Sequence, residues 1–462
     1  MENNIYNIDK NINKFLFREY DLRGIYGTDI TENIAYTIGK SFGSYIIKNN
    51  ESKTIVGYDN RLSSKSLKDA LIKGIIDSGI DVIDIGLVTT PMYYAARLNY
   101  ELNTGIMVTA SHNPKEYNGF KIAFSKNSNA CGKEIYDFRD FTFTFDFKEG
   151  NGKVEVVNTK ENYLNLIKNS INLGDKKIKV VADPANASCT VILKEVLDLF
   201  NLEYVIINGE NDGSFPNHHP DPFIKENLEQ LVNKVKELKY DIGIAFDGDG
   251  DRIGLVDNLG NIIEIDKFML IVYRDIINNM KNKSALFDVK CSKTLIDGIK
   301  DLGLRPDMSR TGASYLNQKM HSGDYDFGGE YSGHVCFKDK FKGFDDGIYA
   351  GLRMIEILSK SDKPFCAYLD NMTKYYSSDE LKFVSSDDTK FDVINKIKEY
   401  FVNKKYEIID IDGIRVNIGN GWILIRCSNT GPNITARCEA DTKENLEILI
   451  NIVNELVSIY NK

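Results

Sequence analysis

The segment at residues 106–114 reads IMVTASHNP, an apolar run that ends in polar residues and a proline. Its apolar beginning predicts a short buried strand, and Pro114 favours a turn because proline cannot continue a strand ladder. Ser111 is therefore expected directly after a strand, where open α/β sheets bind their ligands. A hydroxyl beside His112, with Lys121 close behind, indicates a nucleophile or a phosphate carrier. The alternative is that Ser111 only caps its own turn.

Strand and helix patterns alternate around this segment. Thr31 is typical of a helix N-cap, and apolar residues at helical spacing follow it. Residues 54–58 predict a strand, a helix opens at Ser63 or Ser64, residues 81–85 predict another strand, and Pro91 begins the next helix. Strands that alternate with helices indicate a parallel sheet.

The same alternation recurs twice further along the chain. Strands are predicted at 178–182, 204–207, 242–246 and 285–289, and helices at 191–200, 228–238, 265–277, 292–302, 313–320 and 346–358. The last part differs, with strands at 406–409, 414–418 and 422–426, a strand near Thr435 and a helix at 445–460. This order predicts three similar α/β domains with mixed or parallel sheets, then a smaller α+β domain, around a central active-site cleft. We expect the boundaries at 1–153, 154–258, 259–368 and 369–462.

Bulk composition narrows the class of protein. The chain has 462 residues, 42% hydrophobic and 27% charged, which is ordinary for a globular protein. Seven cysteines without a C-x-x-C pair argue against a disulfide scaffold or zinc site and favour a reducing cytoplasm. No apolar run resembles a signal peptide or a membrane span. A net charge of −9 weighs against nucleic acid as the main partner.

Three aspartates separated by glycines follow the predicted strand at 242–246. Asp247, Asp249 and Asp251 lie on one short loop, and carboxylate oxygens of this kind suit Mg²⁺. An EF-hand is excluded because Arg252 stands where that loop needs glycine. Two alternatives remain, a phosphatase-type nucleophile at Asp247 and a solvated Asp/Gly turn.

Two further loops carry polar side chains suited to a phosphorylated sugar. Residues 329–334 read GEYSGH, and this loop can offer hydrogen-bond groups to sugar hydroxyls, although a capped turn explains it equally. Residues 426–431 read RCSNTG, and an arginine with hydroxyls and loop amides can cradle a phosphate. A polar hairpin tip is the alternative for this second loop.

Together these four loops resemble those of the α-D-phosphohexomutases, in particular the bacterial phosphomannomutase/phosphoglucomutase group. The serine segment, the aspartate loop and the loops at 329–334 and 426–430 occur in the order typical of that family. Three other stretches are similar as well, YDLRG at 20–24, NHHPDP at 217–222 and DVKC at 288–291. The resemblance spans nearly the whole chain, and four loops in register are far more specific than any one alone.

The resemblance implies a reversible transfer of a phosphoryl group between O1 and O6 of a hexose, through a phosphoserine and a hexose 1,6-bisphosphate that also serves as activator. The implied catalytic residues are Ser111, His112, Lys121, Arg252 and His334. The implied Mg²⁺ ligands are the phosphorylated Ser111 with Asp247, Asp249 and Asp251. The implied substrate-binding residues are Tyr20, Arg23, Lys290, Glu330, Ser332, Arg426, Ser428, Asn429 and Thr430. Hexose phosphates are the expected partners, in a cytoplasmic monomer or homodimer.

Two positions depart from the family pattern, and three rival functions stay open at this point. Ala313 stands where close relatives often carry histidine, which puts one polar substrate contact in doubt, and Ala187 replaces a usual glycine. The rivals are a phosphoglucosamine mutase, a phosphatase that uses Asp247 as nucleophile, and a catalytically silent sugar-phosphate-binding protein.

Overall fold

The computed structural model describes residues 6–428 and 431–461, and within them strands and helices alternate over most of the length. The strands are β1 (Leu22–Ile25), β2 (Lys53–Tyr58), β3 (Asp81–Leu87), β4 (Gly105–Val108), β5 (Tyr117–Ala123), β6 (Val154–Val156), β7 (Lys179–Asp183), β8 (Glu203–Ile206), β9 (Ile242–Phe246), β10 (Ile253–Asp257), β11 (Ile262–Ile263), β12 (Ser284–Asp288), β13 (Arg305–Ser309), β14 (Phe327–Gly329), β15 (Val335–Phe337), β16 (Tyr376–Ser377), β17 (Leu381–Val384), β18 (Ile408–Ile409), β19 (Ile414–Ile418), β20 (Gly421–Cys427) and β21 (Asn433–Ala440).

The helices complete the α/β alternation. They are α1 (Glu32–Ile47), α2 (Ser64–Asp77), α3 (Thr90–Asn99), α4 (Lys133–Thr142), α5 (Lys160–Lys168), α6 (Leu193–Asp198), α7 (Glu229–Leu238), α8 (Ile265–Ile276), α9 (Lys293–Asp301), α10 (Ala313–Ser322), α11 (Gly347–Ser359), α12 (Lys390–Asn403) and α13 (Lys443–Tyr460). Side-chain caps fix several of their first turns, because Thr31, Thr89 and Thr442 each accept a hydrogen bond from a backbone N–H of the helix that follows.

The chain forms two compact units, the first of which comprises Met1–Glu264 and Ser332–Tyr368. Its first sheet has the order β1-β5-β4-β2-β3-β6. Strand β2 runs parallel to β3 and β4, whereas β5 returns antiparallel to both β4 and β1. The carboxyl ends of β2, β3 and β4 therefore point the same way, and the segment with Ser111 leaves from the end of β4.

The second sheet of this unit has the order β11-β10-β9-β7-β8. Strand β7 is parallel to β8 and β9, while β10 turns back antiparallel to β9. All five residues of β9 are buried, which accounts for their continuous apolar character. The aspartate loop is the connection between β9 and β10, so a buried hairpin holds both of its ends.

The second unit comprises Ile265–Tyr331 and Leu369–Lys462. It contains the parallel neighbours β13, β12 and β14 and the antiparallel sheet β16-β21-β20-β19-β18, in which β17 also pairs with β21. Helices α12 and α13 pack on the antiparallel sheet through Ile397, Phe401, Val453 and Leu456. The buried Trp422 of β20 packs with Val289, which follows β12.

The expected fold class is confirmed: three α/β domains precede an α+β C-terminal domain, and the sheets are mixed. The prediction of one helix at 191–200 is wrong in detail. A short 3-10 helix at Ser188–Val191 comes first, and α6 is confined to Leu193–Asp198. The cause is a tertiary contact, because the backbone N–H and the hydroxyl of Ser188 both donate to the carbonyl of Gly248 and so hold the segment against the aspartate loop.

Candidate active site

Ser111 sits at the end of β4 in a backbone conformation that is uncommon for serine. Its φ is 50°, in the left-handed region, and its side chain is buried. The hydroxyl of Thr109, not that of Ser111, accepts the local turn bond from the Ser111 N–H at 2.9 Å. Ser111 Oγ instead donates to Asp247 Oδ2 at 2.8 Å and lies 3.2 Å from His112 Nδ1. The alternative of a self-capping serine is therefore wrong.

The glycines of the aspartate loop are required by close approaches. A Cβ atom on Gly248 would collide with the carbonyl oxygen of Ser111, so only glycine lets the two loops meet. Gly250 has a φ of 79° and faces the Cys189 sulfur, where a Cβ atom would again collide. The alternation of aspartate and glycine thus brings the carboxylate of Asp247 to the serine hydroxyl.

The three aspartates form one buried acidic cluster. Each is fully buried, and one carboxylate oxygen from each lies within 4.8 Å of the others. Burial, and then mutual repulsion, raises the pKa of Asp247 and Asp251. Asp249 Oδ1 and Asp251 Oδ1 accept no hydrogen bond from any residue that the structure describes. Buried hard oxygens without a donor are what a divalent cation would satisfy, so the cluster fits Mg²⁺.

Lys121 partly compensates the acidic cluster. It lies on β5 opposite Met107, and its ammonium donates to Asp249 Oδ2 at 2.6 Å and Asp251 Oδ2 at 2.5 Å. Burial alone would lower the pKa of Lys121, but these two carboxylates outweigh it and the pKa is raised. Lys121 is therefore a cation here.

His334 is held between a carboxylate and a guanidinium. Arg252 Nε donates to His334 Nε2 at 2.9 Å, and because a guanidinium can only donate, the ring proton is on Nδ1. That Nδ1–H faces Asp345 Oδ2 at 2.6 Å. Burial opposes the charged ring, but Asp251 and Asp345 raise its pKa overall.

By contrast, burial and the nearby Arg252 lower the pKa of His112 well below its ordinary value, so His112 is neutral.

Another predicted residue, Arg23, borders the serine loop. Arg23 on β1 is paired with Asp21, and it donates to the Asn113 side chain at 2.8 Å. Tyr20 is half-buried just before this pair in the chain. The first unit thus brings together the whole predicted catalytic and metal set with Arg23, and it also contains Tyr20.

The remaining predicted residues, except Ser332, belong to the second unit. Glu330 is buried and accepts a hydrogen bond from the Gly312 N–H. Lys290, directly after β12, is paired with Glu380 at 2.8 Å. Ser332 belongs to the first unit and is half-buried.

Arg426 lies near the end of β20, where the second phosphate loop was predicted. Its Nε donates to Asp412 Oδ2 at 2.9 Å, and both side chains are at least nine-tenths buried. The same Asp412 oxygen accepts the Thr311 N–H at 3.1 Å. Ser428 donates its N–H to the Asn433 carbonyl at 2.8 Å, and Asn429 and Thr430 lie outside the described residues.

Comparison with known proteins decides the family. Four models of the phosphoglucomutase/phosphomannomutase family match in order: alpha/beta/alpha domain I at residues 14–138, domain II at 161–260, domain III at 264–376 and the C-terminal domain at 380–455. The chain belongs to the phosphoglucomutase/phosphomannomutase family.

Individual family members align over almost the whole length. A phosphomannomutase/phosphoglucomutase of Pseudomonas aeruginosa is 39% identical over 432 residues, which is 94% of this chain and 93% of that protein. A phosphoglucomutase of Neisseria gonorrhoeae is 36% identical over 446 residues, 95% of this chain and 96% of that one. The crystal structure of a phosphoglucomutase/phosphomannomutase family protein from Burkholderia thailandensis superposes with a TM-score of 0.88 at 33% identity, covering 97% of this chain and 98% of that chain.

Membership confirms the predicted resemblance and the expectation of an enzyme of the isomerase class with hexose phosphate mutase activity. Among the described residues of this mutase, no helix combines the length and apolar character needed to cross a membrane.

The mutase fold also places three side chains at the site that the sequence interpretation missed. Thr90, after β3, donates to Asp249 Oδ2 at 2.5 Å. Asp345 orients His334, and Arg61, after β2, donates to the serine loop. Arg61 follows β2, which pairs with β4, and Thr90 follows β3, which pairs with β2, so the strand-end rule that selected Ser111 could have selected both positions. Asp345 carries no local signal.

Proposed function

We propose that this mutase moves a phosphoryl group between O1 and O6 of glucose and mannose phosphates, through phosphorylated Ser111 and a hexose 1,6-bisphosphate. One observation carries the proposal. The Ser111 hydroxyl donates to Asp247 at 2.8 Å, inside a buried acidic cluster that Lys121 only partly compensates. A serine that merely closes a turn has no reason to lie there.

The reaction balances as two mirror-image transfers. In the first, the bond between phosphorus and Ser111 Oγ breaks and phosphorus bonds to the free hydroxyl oxygen of the sugar. The sugar hydroxyl loses a proton, and Ser111 Oγ gains one. The bisphosphate then turns end for end and returns its other phosphoryl group to Ser111. The product leaves with the phosphate on the opposite carbon, and the enzyme is phosphorylated again.

We assign acid and base roles from the protonation states. Lys121 is an ammonium in the folded protein, so it can stabilise negative charge and has a proton to give, which the carboxylates of Asp249 and Asp251 hold tightly. His334 has its proton on Nδ1 and a lone pair on Nε2, so it is the better base once Arg252 turns to a phosphate. His112 is neutral and within 3.2 Å of Ser111 Oγ, where it can hold that oxygen in place.

Asp247, Asp249 and Asp251 would hold Mg²⁺ together with the phosphorylated serine. When bound, the metal supplies positive charge to the oxygens of the transferring group. A hexose 1,6-bisphosphate would act as activator, because it restores the phosphate on Ser111 if an intermediate escapes.

Recognition of the non-reacting part of the substrate is assigned to polar groups outside the serine centre. Glu330 and Ser332 would bind sugar hydroxyls, and Arg426 with its loop would bind the second phosphate. The full proposed binding set is Tyr20, Arg23, Lys290, Glu330, Ser332, Arg426, Ser428, Asn429 and Thr430. Arginine suits the phosphate because its planar fork donates two parallel hydrogen bonds.

We expect activity on both epimers. Glucose and mannose differ only at C2, and we assign Glu330 and Ser332 to O3 and O4, which exchange places when the intermediate turns over. Ala313, beside the Gly312 N–H that contacts Glu330, has no polar group to offer C2. A site that makes no hydrogen bond to a hydroxyl rejects analogues weakly, so kcat/KM for the two sugars should lie within about a hundred-fold.

A phosphatase with Asp247 as nucleophile is less well supported. Asp247 Oδ1 accepts the N–H groups of Gly250 and Arg252, both at 3.1 Å, and Oδ2 accepts the Ser111 hydroxyl. A nucleophilic Asp247 would also leave Ser111 and the loop at 426–431 without a role.

The test is a coupled assay with glucose 1-phosphate and mannose 1-phosphate at matched bisphosphate, on the wild type, Ser111→Ala and Ser125→Ala. Ser125 is an exposed serine just beyond β5 and serves as the control. We expect Ser111→Ala to lose nearly all turnover and Ser125→Ala to keep it. Turnover of Ser111→Ala within a few-fold of wild type would overturn the phosphoserine role.

A further inference from the structure

The buried side chain of Arg61 lies against the loop that carries Ser111. It donates hydrogen bonds to four backbone carbonyls of that loop. Its two terminal nitrogens donate to the carbonyls of Ser111 and Asn113, both at 2.7 Å, of Pro114 at 2.7 Å, and of Tyr117 at 3.1 Å. Carbonyls of an exposed loop usually turn to water, but here they converge on one guanidinium. The loop, which follows β4, thus folds around the guanidinium of Arg61, which follows β2.

Asp59 fixes the guanidinium in turn. Its Oδ2 lies 3.2 Å from Arg61 Nε, and its Oδ1 accepts the Arg61 N–H at 3.0 Å and the Ser64 hydroxyl at 2.5 Å. Both charged side chains are almost completely buried, so water screens this ion pair little. Asp59 and Arg61 follow β2, which pairs with β4. The ion pair is therefore anchored in the same sheet that carries the serine loop.

The hydrogen bond from Arg61 to the Ser111 carbonyl constrains the backbone of the residue that we propose carries the phosphate. A left-handed φ at a non-glycine residue is strained and persists only where surrounding contacts hold it. The Ser111 N–H is bound by Thr109, and its carbonyl is bound by Arg61 and lies against Gly248. The peptide groups on both sides of the serine are thereby fixed relative to the aspartate loop.

We infer that Arg61 is a positioning residue for phosphoryl transfer: through four backbone carbonyls it sets where Ser111 Oγ stands relative to Asp247. The inference rests on the proposed function of Ser111, and no contact of Arg61 with the reacting atoms is involved. A lysine cannot replace it, because one ammonium lacks the planar fork that reaches four carbonyls. A misplacement of about 1 Å can cost about a hundred-fold in rate.

The experiment compares Arg61→Lys with a matched control, Arg97→Lys. Arg97 is also buried and donates to two loop carbonyls, those of Asn103 and Ser125, but it does not touch the serine loop. Thermal unfolding, KM, kcat and the single-turnover rate of transfer from phosphorylated enzyme are measured for both. We expect a loss of about a hundred-fold in single-turnover rate for Arg61→Lys with little change in KM, and an unchanged rate for Arg97→Lys. Equal rate losses in the two variants would overturn the inference.

Three additional measurements test the inference further, and the first two serve if Arg61→Lys folds poorly. Guanidinium added to Arg61→Ala should restore part of the rate, and failure to restore any would count against positioning by the fork. Asp59→Asn keeps the guanidinium but loosens its orientation, so it should lose part of the rate, and a wild-type rate would contradict the role of Asp59. Hydrogen exchange at the Asn113 and Tyr117 amides, both bonded within the loop, should accelerate in Arg61→Lys. Unchanged exchange would overturn the inference, whereas a wild type without mutase activity would overturn only the proposed function.

Discussion

Removing the Arg426 side chain should weaken phosphate binding and destabilise the second unit, and the structure separates the two effects. Arg426→Ala deletes a charge-assisted donor, which is worth about 1.5–3 kcal/mol. The affinity for glucose 1-phosphate should therefore fall about ten- to a hundred-fold. The same change leaves the buried carboxylate of Asp412 without the guanidinium, and breaking a buried ion pair costs about 3–5 kcal/mol of folding stability.

A second substitution distinguishes the loss of a phosphate contact from the loss of folding stability. Arg426→Ala combined with Asp412→Asn removes the uncompensated charge, while an amide oxygen can still accept the Thr311 N–H. We expect this double variant to regain most of the unfolding free energy and none of the affinity. Asp412→Asn alone should bind at least as tightly as wild type, because Arg426 loses a competing carboxylate.

Isothermal titration with glucose 1-phosphate and thermal unfolding of the same samples provide the measurements. Phosphate on Ser111 should be unaffected in all three variants. Unchanged affinity in Arg426→Ala would move the second phosphate site elsewhere in the chain. Recovery of affinity in the double variant would show that Arg426→Ala binds weakly because its fold is destabilised, and not because it lacks a contact to the phosphate.

The remaining predictions concern metal and sugar. Asp249→Asn should lose Mg²⁺ dependence and activity together, because one of three anionic ligands is gone, and a metal titration identical to wild type would contradict the assignment. Chelation of the wild type should abolish turnover, and Mg²⁺ should restore it; turnover that survives chelation would remove the metal from the account. Kinetics on glucose and mannose 1-phosphates should agree within about a hundred-fold, and a preference of several thousand-fold would show that a group beyond Glu330 and Ser332 reads C2.

The elements that the sequence predicted well are those with a local cause. Strand β9 and strand β19 have the predicted bounds, because each is a short apolar or alternating run ended by turn residues. Helix α1 begins after Thr31 as expected, since a capping hydroxyl is a local signal. The positions of Ser111 after β4 and of the three aspartates between β9 and β10 were predicted because apolar runs that end in turn residues mark strand ends.

What the sequence did not predict depends on contacts between distant residues. Strand β5 was missed because Asn118 and Gly119 interrupt its apolar run, and only pairing with β4 and β1 makes it a strand. The binding of Arg61 to the serine loop joins positions about fifty residues apart in sequence, and although Arg61 follows a strand, no local pattern indicates this partner. The neutral Nε2 of His334 likewise depends on Arg252 and Asp345 together.

The most direct test of the account is the site of covalent phosphate. The wild-type protein is incubated with glucose 1,6-bisphosphate, and intact-mass analysis and peptide mapping follow, with a parallel sample treated with hydroxylamine to cleave acyl phosphates. The account predicts one phosphoryl group on Ser111, resistant to hydroxylamine and transferred to added glucose 1-phosphate at a rate no slower than turnover. A hydroxylamine-sensitive phosphate on Asp247, or turnover without phosphate on Ser111, would contradict it.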